Sequence, residues 1–158
     1  MNVEYINPII ETSQRIIKEI TELDTSLGKV YVKKSPYETE GIAVIIGITG
    51  KIKGQAVFST NKNLASKIAC SMLGAFITDI SDLDEMAESA FAEMANIIMG
   101  NYLSLLPKKN FAVDITPPTI ILAKNISFSC SKQVILCIPL IFLDGEILEI
   151  HVSFVEFE

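Results

Sequence analysis

The 158-residue sequence contains no tryptophan, a single histidine and only three cysteines. Each scarcity removes a class of function. Cys70, Cys130 and Cys137 are odd in number and lack CxxC spacing, and His151 is the only imidazole available to join them, so a structural zinc site has too few ligands. The cysteines are read as small apolar fillers kept reduced. Positive charge is also sparse, with 13 Lys and Arg against 19 Asp and Glu and a formal net charge of −6. Nucleic-acid affinity comes mainly from neutralising phosphates, so a chain without a basic cluster is not expected to bind DNA or RNA. No run of about 18 uncharged apolar residues occurs, which argues against a membrane span. The opening "MNVEYINPIIETSQRIIKEI" has no basic segment followed by an apolar block, so no signal peptide is expected and the cytoplasm is the default. The phosphate-loop pattern is missing too: Gly50-Lys51 leads into Ile52 and more apparent strand, not into Ser or Thr at a helix start.

What remains is apolar. Residues of that kind make up 49% of the chain against 20% charged. The mean hydropathy of +0.41 is high for a soluble domain, as when a subunit contact hides apolar surface. The length suits one domain spanning 1–158. "INPIIETSQRIIKEITEL" predicts a first helix with Asn7 as N-cap, Pro8 at its first position, and Ile9, Ile16, Ile17 and Ile20 at helical spacing. "IAVIIGITGKIKGQAVFST" predicts two strands turning at Gly50-Lys51. "NKNLASKIACSMLGAF" predicts a second helix capped near Thr60 to Asn63 and stopped by Gly74. After Val113 the chain predicts strands, the last two joined at Asp144-Gly145, with Pro139 at an edge or a bulge and Pro117-Pro118 in an extended turn. The last strand alternates Leu148, Ile150, Val152 and Phe154 with Glu149, His151 and Ser153, which predicts a wetter second face holding His151. Together these give an α+β domain: three helices on a largely antiparallel sheet of about six strands.

The third helix, "SDLDEMAESAFAEMANIIMGNYLSLLPKK", carries the functional signal. Asp82 and Glu85 have capping-box spacing and Pro107 marks the exit. Wound at about 100° per residue, it predicts a core face of Leu83, Met86, Ala87, Ala90, Met94, Ile97, Ile98 and Leu105. The opposite strip is Asp82, Glu85, Ser89, Ala92, Glu93, Asn96 and Gly100. Glu93 and Asn96 lie one turn apart and point the same way, and the small Ala92 and Gly100 leave them standing proud. Periodicity by itself equally fits a solvated helix face. Asn101 falls on the core side, where a hydrogen bond to backbone is expected.

Three stretches then give a resemblance. "ESAFAEMANIIMGN" has Ser89, Glu93 and Asn96 in the pattern Ser or Asp, three residues, Glu, two residues, Asn. "VIIGITGKIKG" before it and "VDITPPT" after it lie in the family's order and at similar spacing. The chain resembles the CheC/CheX/FliY family of chemotaxis phosphatases, over nearly its whole length, and the single ExxN favours the CheX branch. The resemblance implies a CheC-like fold and a phosphorylated CheY-like response regulator as substrate. It implies no metal or cofactor bound by the chain itself, the Mg²⁺ being supplied by the regulator. Asn96 would orient the attacking water and Glu93 would pair with the regulator's active-site lysine. Ser89, Ala92 and Gly100 would line the docking face, and a homodimer is implied as well. The alternative is a non-catalytic CheC-like module that binds a regulator or a flagellar switch component.

Overall fold

The computed structural model describes residues 3–74, 85–106, 112–129 and 134–156. Asp82, Leu83, Pro107 and Cys130, which figure in the sequence reading, lie outside them. Three helices, α1 (Val3–Thr21), α2 (Lys62–Leu73) and α3 (Glu85–Leu105), accompany eight strands: β1 (Thr25–Leu27), β2 (Tyr31–Lys34), β3 (Tyr37–Gly50), β4 (Ile52–Thr60), β5 (Val113–Ile115), β6 (Thr119–Phe128), β7 (Val134–Phe142) and β8 (Ile147–Glu156). The sheet runs β1-β7-β8-β4-β3-β5, with β2 also on β7 and β6 also on β3. Every pairing is antiparallel. The class is as expected and the strand count is not: β1 and β2 add two, while the prolines cut "VDI" off as β5 and "TIILA" runs on through "ISF" as the single β6.

Period-2 alternation decides which side chains meet the helices. Ile42, Val44, Ile46 and Ile48 of β3, Ala56 and Phe58 of β4, Ile138 and Leu140 of β7, and Leu148, Ile150 and Val152 of β8 form one core. Ile9, Ile16 and Ile17 of α1, Leu64 and Ile68 of α2, and Phe91, Met94 and Ile98 of α3 fill it from above. The β3–β4 turn works because Gly50 has φ +109° and a Cβ there would sit 1.9 Å from the Ala112 carbonyl oxygen. The Asn61 side chain caps α2 by accepting from the Leu64 N–H at 2.8 Å. In α1 the helix begins before Pro8, so that proline lies inside it instead of opening it. As the sixth residue it lies past the four N–H groups that lack a partner in any helix, so its missing N–H forfeits one backbone bond. Pro139 is not at an outer edge but faces an irregularity, where residues 28–30 stand opposite residues 138–139. It sits where β1 and β2 both leave β7, and its carbonyl accepts from Gly28 N–H at 2.9 Å.

The second face of the sheet overturns the expectation for His151. It is 1% exposed, not on a wet face. The buried Tyr37, Val57, Ile126, Phe128, Ile135 and Cys137 and the half-buried Tyr31 make a second core on that side. The Tyr37 ring meets the imidazole edge-on at 4.7 Å between centroids. His151 Nε2 lies 2.8 Å from Glu149 Oε2, and the ionised carboxylate can only accept, so Nε2 carries the proton. Tyr31 Oη donates to Glu149 at 2.6 Å and Lys33 Nζ stands 3.5 Å away. Glu149 is thereby pulled from an ordinary 4.5 down to about 2, chiefly by the His151 hydrogen bond, against the opposing effect of burial.

A carboxylate with a lowered folded pKa stabilises the fold above its unfolded pKa. That contribution is lost as pH falls from about 4.5 toward 2. Glu149→Gln is expected to cost about 1–2 kcal/mol at pH 7, below the full linkage value because the carboxylate keeps some solvent. Denaturant titrations at pH 7 and pH 3 check this: the gap between variant and wild type narrows at the lower pH. An equal gap at both would remove Glu149 from the acid limb.

Candidate active site

Helix α3 forms because its sequence is rich in strong helix formers, Ala and Met above all, with Glu85 and Glu88 placed against the positive end of the helix dipole. Phe91, Met94, Ala95, Ile98, Met99 and Tyr102 anchor it to the core. Ala87 and Ala90 meet Ala69 of α2, small residues that let the two helices approach. At the other end, Arg15 of α1 donates to Asn101 Oδ1 at 3.4 Å while also holding Glu19 at 3.1 Å. Asn101 Nδ2 donates to the Ile97 carbonyl at 2.9 Å, the backbone bond expected of it, from a half-buried position. Thus α3 is braced on two sides and its third side is open.

On that open side stand Ser89, Glu93 and Gly100, all exposed, with Asn96 half-buried beside them. Among the described residues no hydrogen bond or ion pair engages the side chains of Glu93 or Asn96. Two polar groups one turn apart therefore project without partners of their own. Three placements differ from the wheel. Ala92 is only 5% exposed and lies under the strip, not on it, packed into the core. Met86 and Leu105, expected inside, are 61% and 52% exposed. Met86 is seven residues before Glu93, two full turns, so the period places it on Glu93's side despite its apolar character. Leu105 is the last residue of the helix.

The site lies apart from two cavities lined by the described residues. A cavity of about 490 Å³ is lined by Leu23, Leu64, Cys70, Phe142 and Asp144 among others. A second, of about 710 Å³, is lined by Asn61, Lys62, Leu122 and Lys124 among others. Neither includes Glu93 or Asn96. Among the described residues no cluster of three or more His, Cys, Asp or Glu could hold a metal ion, and no helix is long and apolar enough to cross a membrane. Two unpartnered groups on an exposed helix side, apart from the cavities lined by the described residues above, suit chemistry performed inside another molecule's cleft.

The fold defines the class: it is that of CheC-like domains. A CheC-like superfamily protein from Shewanella sp. PV-4 superposes with a TM-score of 0.86 at 24% identity, over 98% of this chain and 99% of that one. The particular family follows from sequence. Residues 42–140 match the family described as chemotaxis phosphatase CheX, and the chain belongs to it. The CheY-P phosphatase CheX of Thermotoga maritima is 28% identical over 153 residues, 97% of each chain. The crystal structure of a CheX–CheY complex with BeF₃ and Mg²⁺ from Borrelia burgdorferi matches with a TM-score of 0.84 at 26% identity, over 98% of this chain and all of that one.

Proposed function

We propose that this chain, acting as one domain over residues 1–158 in the cytoplasm, hydrolyses the aspartyl phosphate of a CheY-like response regulator by inserting the exposed strip of α3 into the regulator's active site. The observation that carries the proposal is the pair of side chains, Glu93 and Asn96, that stand without hydrogen-bond partners among the described residues on the open side of a braced helix. Phosphoryl transfer to water calls mostly for positioning and charge stabilisation. The regulator brings its own Mg²⁺ and lysine, and this chain supplies what is missing. The Asn96 carboxamide accepts a hydrogen bond from water and holds it in line with the P–O bond. It needs no pKa near 7 for this, so an amide serves where a base might be expected. Glu93 pairs with the regulator's lysine and fixes the docking angle. Ser89 and Gly100 let the regulator's rim close over the strip, and Ala92 supports it from below. A homodimer fits the open sheet edges, where Val32 of β2 and Leu122 of β6 are exposed.

The test is phosphate release from a panel of phosphorylated receiver domains, with wild type and Asn96→Ala side by side. Binding without accelerated release would leave a non-catalytic recognition module. Glu93→Ala is expected to raise KM about tenfold, the loss of a charge-assisted pair worth roughly 1.5 kcal/mol. Titration of the variant against the regulator checks it, and unchanged affinity would argue against the ion pair.

A further inference from the structure

Met86 is the most exposed apolar side chain of α3, at 61%. It belongs to none of the core clusters of the described residues. It stands seven residues before Glu93, on the same side of the helix and about 10 Å along the axis. Ser89 lies between them, exposed, with no bulk to interrupt the line. The flanking Glu85 is exposed and Glu88 half-buried. From Glu85 to Leu105 the helix carries no lysine or arginine. The strip thus extends two turns beyond the proposed catalytic pair as an apolar tip in an acidic surround.

We infer that Met86 is a specificity-determining anchor: it seats in an apolar depression on the receiver domain, rimmed by basic groups, about 10 Å from the lysine that meets Glu93. This rests on the function proposed above and adds the means by which one regulator is chosen among many. The occupant follows from continuity and charge. A surface engaging Glu93 and Asn96 on a straight helix must lie over Met86 as well, and an all-acidic helix selects a partner face with lysines or arginines. Methionine suits the task because its unbranched, polarizable chain adapts to the shape it meets. Receiver domains share the chemistry of their phosphorylation site, so discrimination has to come from contacts outside it.

The experiment uses Met86→Ala, Met86→Leu and Asn96→Ala in the full chain. Steady-state phosphate release is measured on a panel of phosphorylated receiver domains, and affinity on the same domains loaded with beryllium fluoride and Mg²⁺. Met86→Ala is expected to raise KM and Kd for the preferred regulator about tenfold, as burial of a methionine side chain predicts, with kcat within about twofold. It should also flatten the ranking among receiver domains, and Met86→Leu should restore both. An exposed position makes loss of folding an unsuitable explanation, and a melting curve verifies this. If Met86→Ala leaves KM, Kd and ranking unchanged while Asn96→Ala abolishes turnover, the anchor is wrong and the catalytic reading stands. If Asn96→Ala also retains wild-type turnover, the underlying reading has failed instead.

Discussion

Asn96→Ala should lower kcat for the phosphorylated regulator by about 100-fold or more while leaving Kd within about threefold. The size follows from what the side chain does. An in-line attack tolerates little error in the nucleophile's position, and misplacement by about 1 Å costs on the order of 100-fold. Without the carboxamide, the water beside the phosphoryl group is held only by the regulator's own groups, and the rate returns toward spontaneous hydrolysis. Affinity is spared because Asn96 is half-buried and contributes little contact area beyond Glu93 and Met86. Stability is spared too, since no hydrogen bond of the described residues involves that side chain. Asn96→Asp is the sharper variant. It keeps an acceptor but puts a negative charge beside a phosphoryl group, so it should lose kcat and also weaken binding. Single-turnover decay of phosphorylated regulator under saturating variant separates the two effects. A kcat for Asn96→Ala within threefold of wild type would sink the assignment.

Much of this helix was legible beforehand, because period and residue size agreed. Ala87, Ala90, Met94 and Ile98 are buried, and Ser89, Glu93 and Gly100 exposed, as the wheel requires. Met86, expected inside with the other apolar residues, is exposed; its seven-residue spacing from Glu93, two turns, sets it on that residue's side. Ala92 went the other way: at the border of the strip, a methyl group is small enough to be enclosed by the core beside it. The family resemblance added the chemistry of the ExxN pair, which no periodicity contains. His151 could not be placed locally. Its strand alternates as expected, but the Tyr37 ring packed against it and the Tyr31 beside it come from the start of β3 and from β2, more than 100 residues earlier in the chain. The register Tyr31↔Cys137 that brings them there is set by pairing over that distance. Short strands such as Thr25–Leu27 and Tyr31–Lys34 carry too few residues for alternation to register at all.

Replacing Gly100 should move stability and activity in opposite directions. A glycine in a helix interior costs about 0.5–1 kcal/mol relative to alanine, so a fold retains one where something requires it. Among the described residues nothing does. A Cβ at position 100 would meet no atom within 4 Å, and φ there lies outside the left-handed region. A contact from outside the molecule would supply the requirement. Gly100 stands one turn beyond Asn96, about 6 Å along the axis, where the rim of a cleft entered by Asn96 would press on the helix backbone. Gly100→Ala is therefore expected to raise unfolding stability by about 0.5–1 kcal/mol while weakening the regulator severalfold. Gly100→Leu adds a branched side chain at the closest approach. A steric conflict of about 1–3 kcal/mol predicts a loss of affinity between roughly tenfold and 100-fold, with a melting temperature no lower than wild type. Denaturant curves and regulator titrations on the same preparations give both quantities. A Gly100→Leu variant that docks as well as wild type would mean that the regulator does not approach along this strip, and the insertion geometry would have to be abandoned along with it.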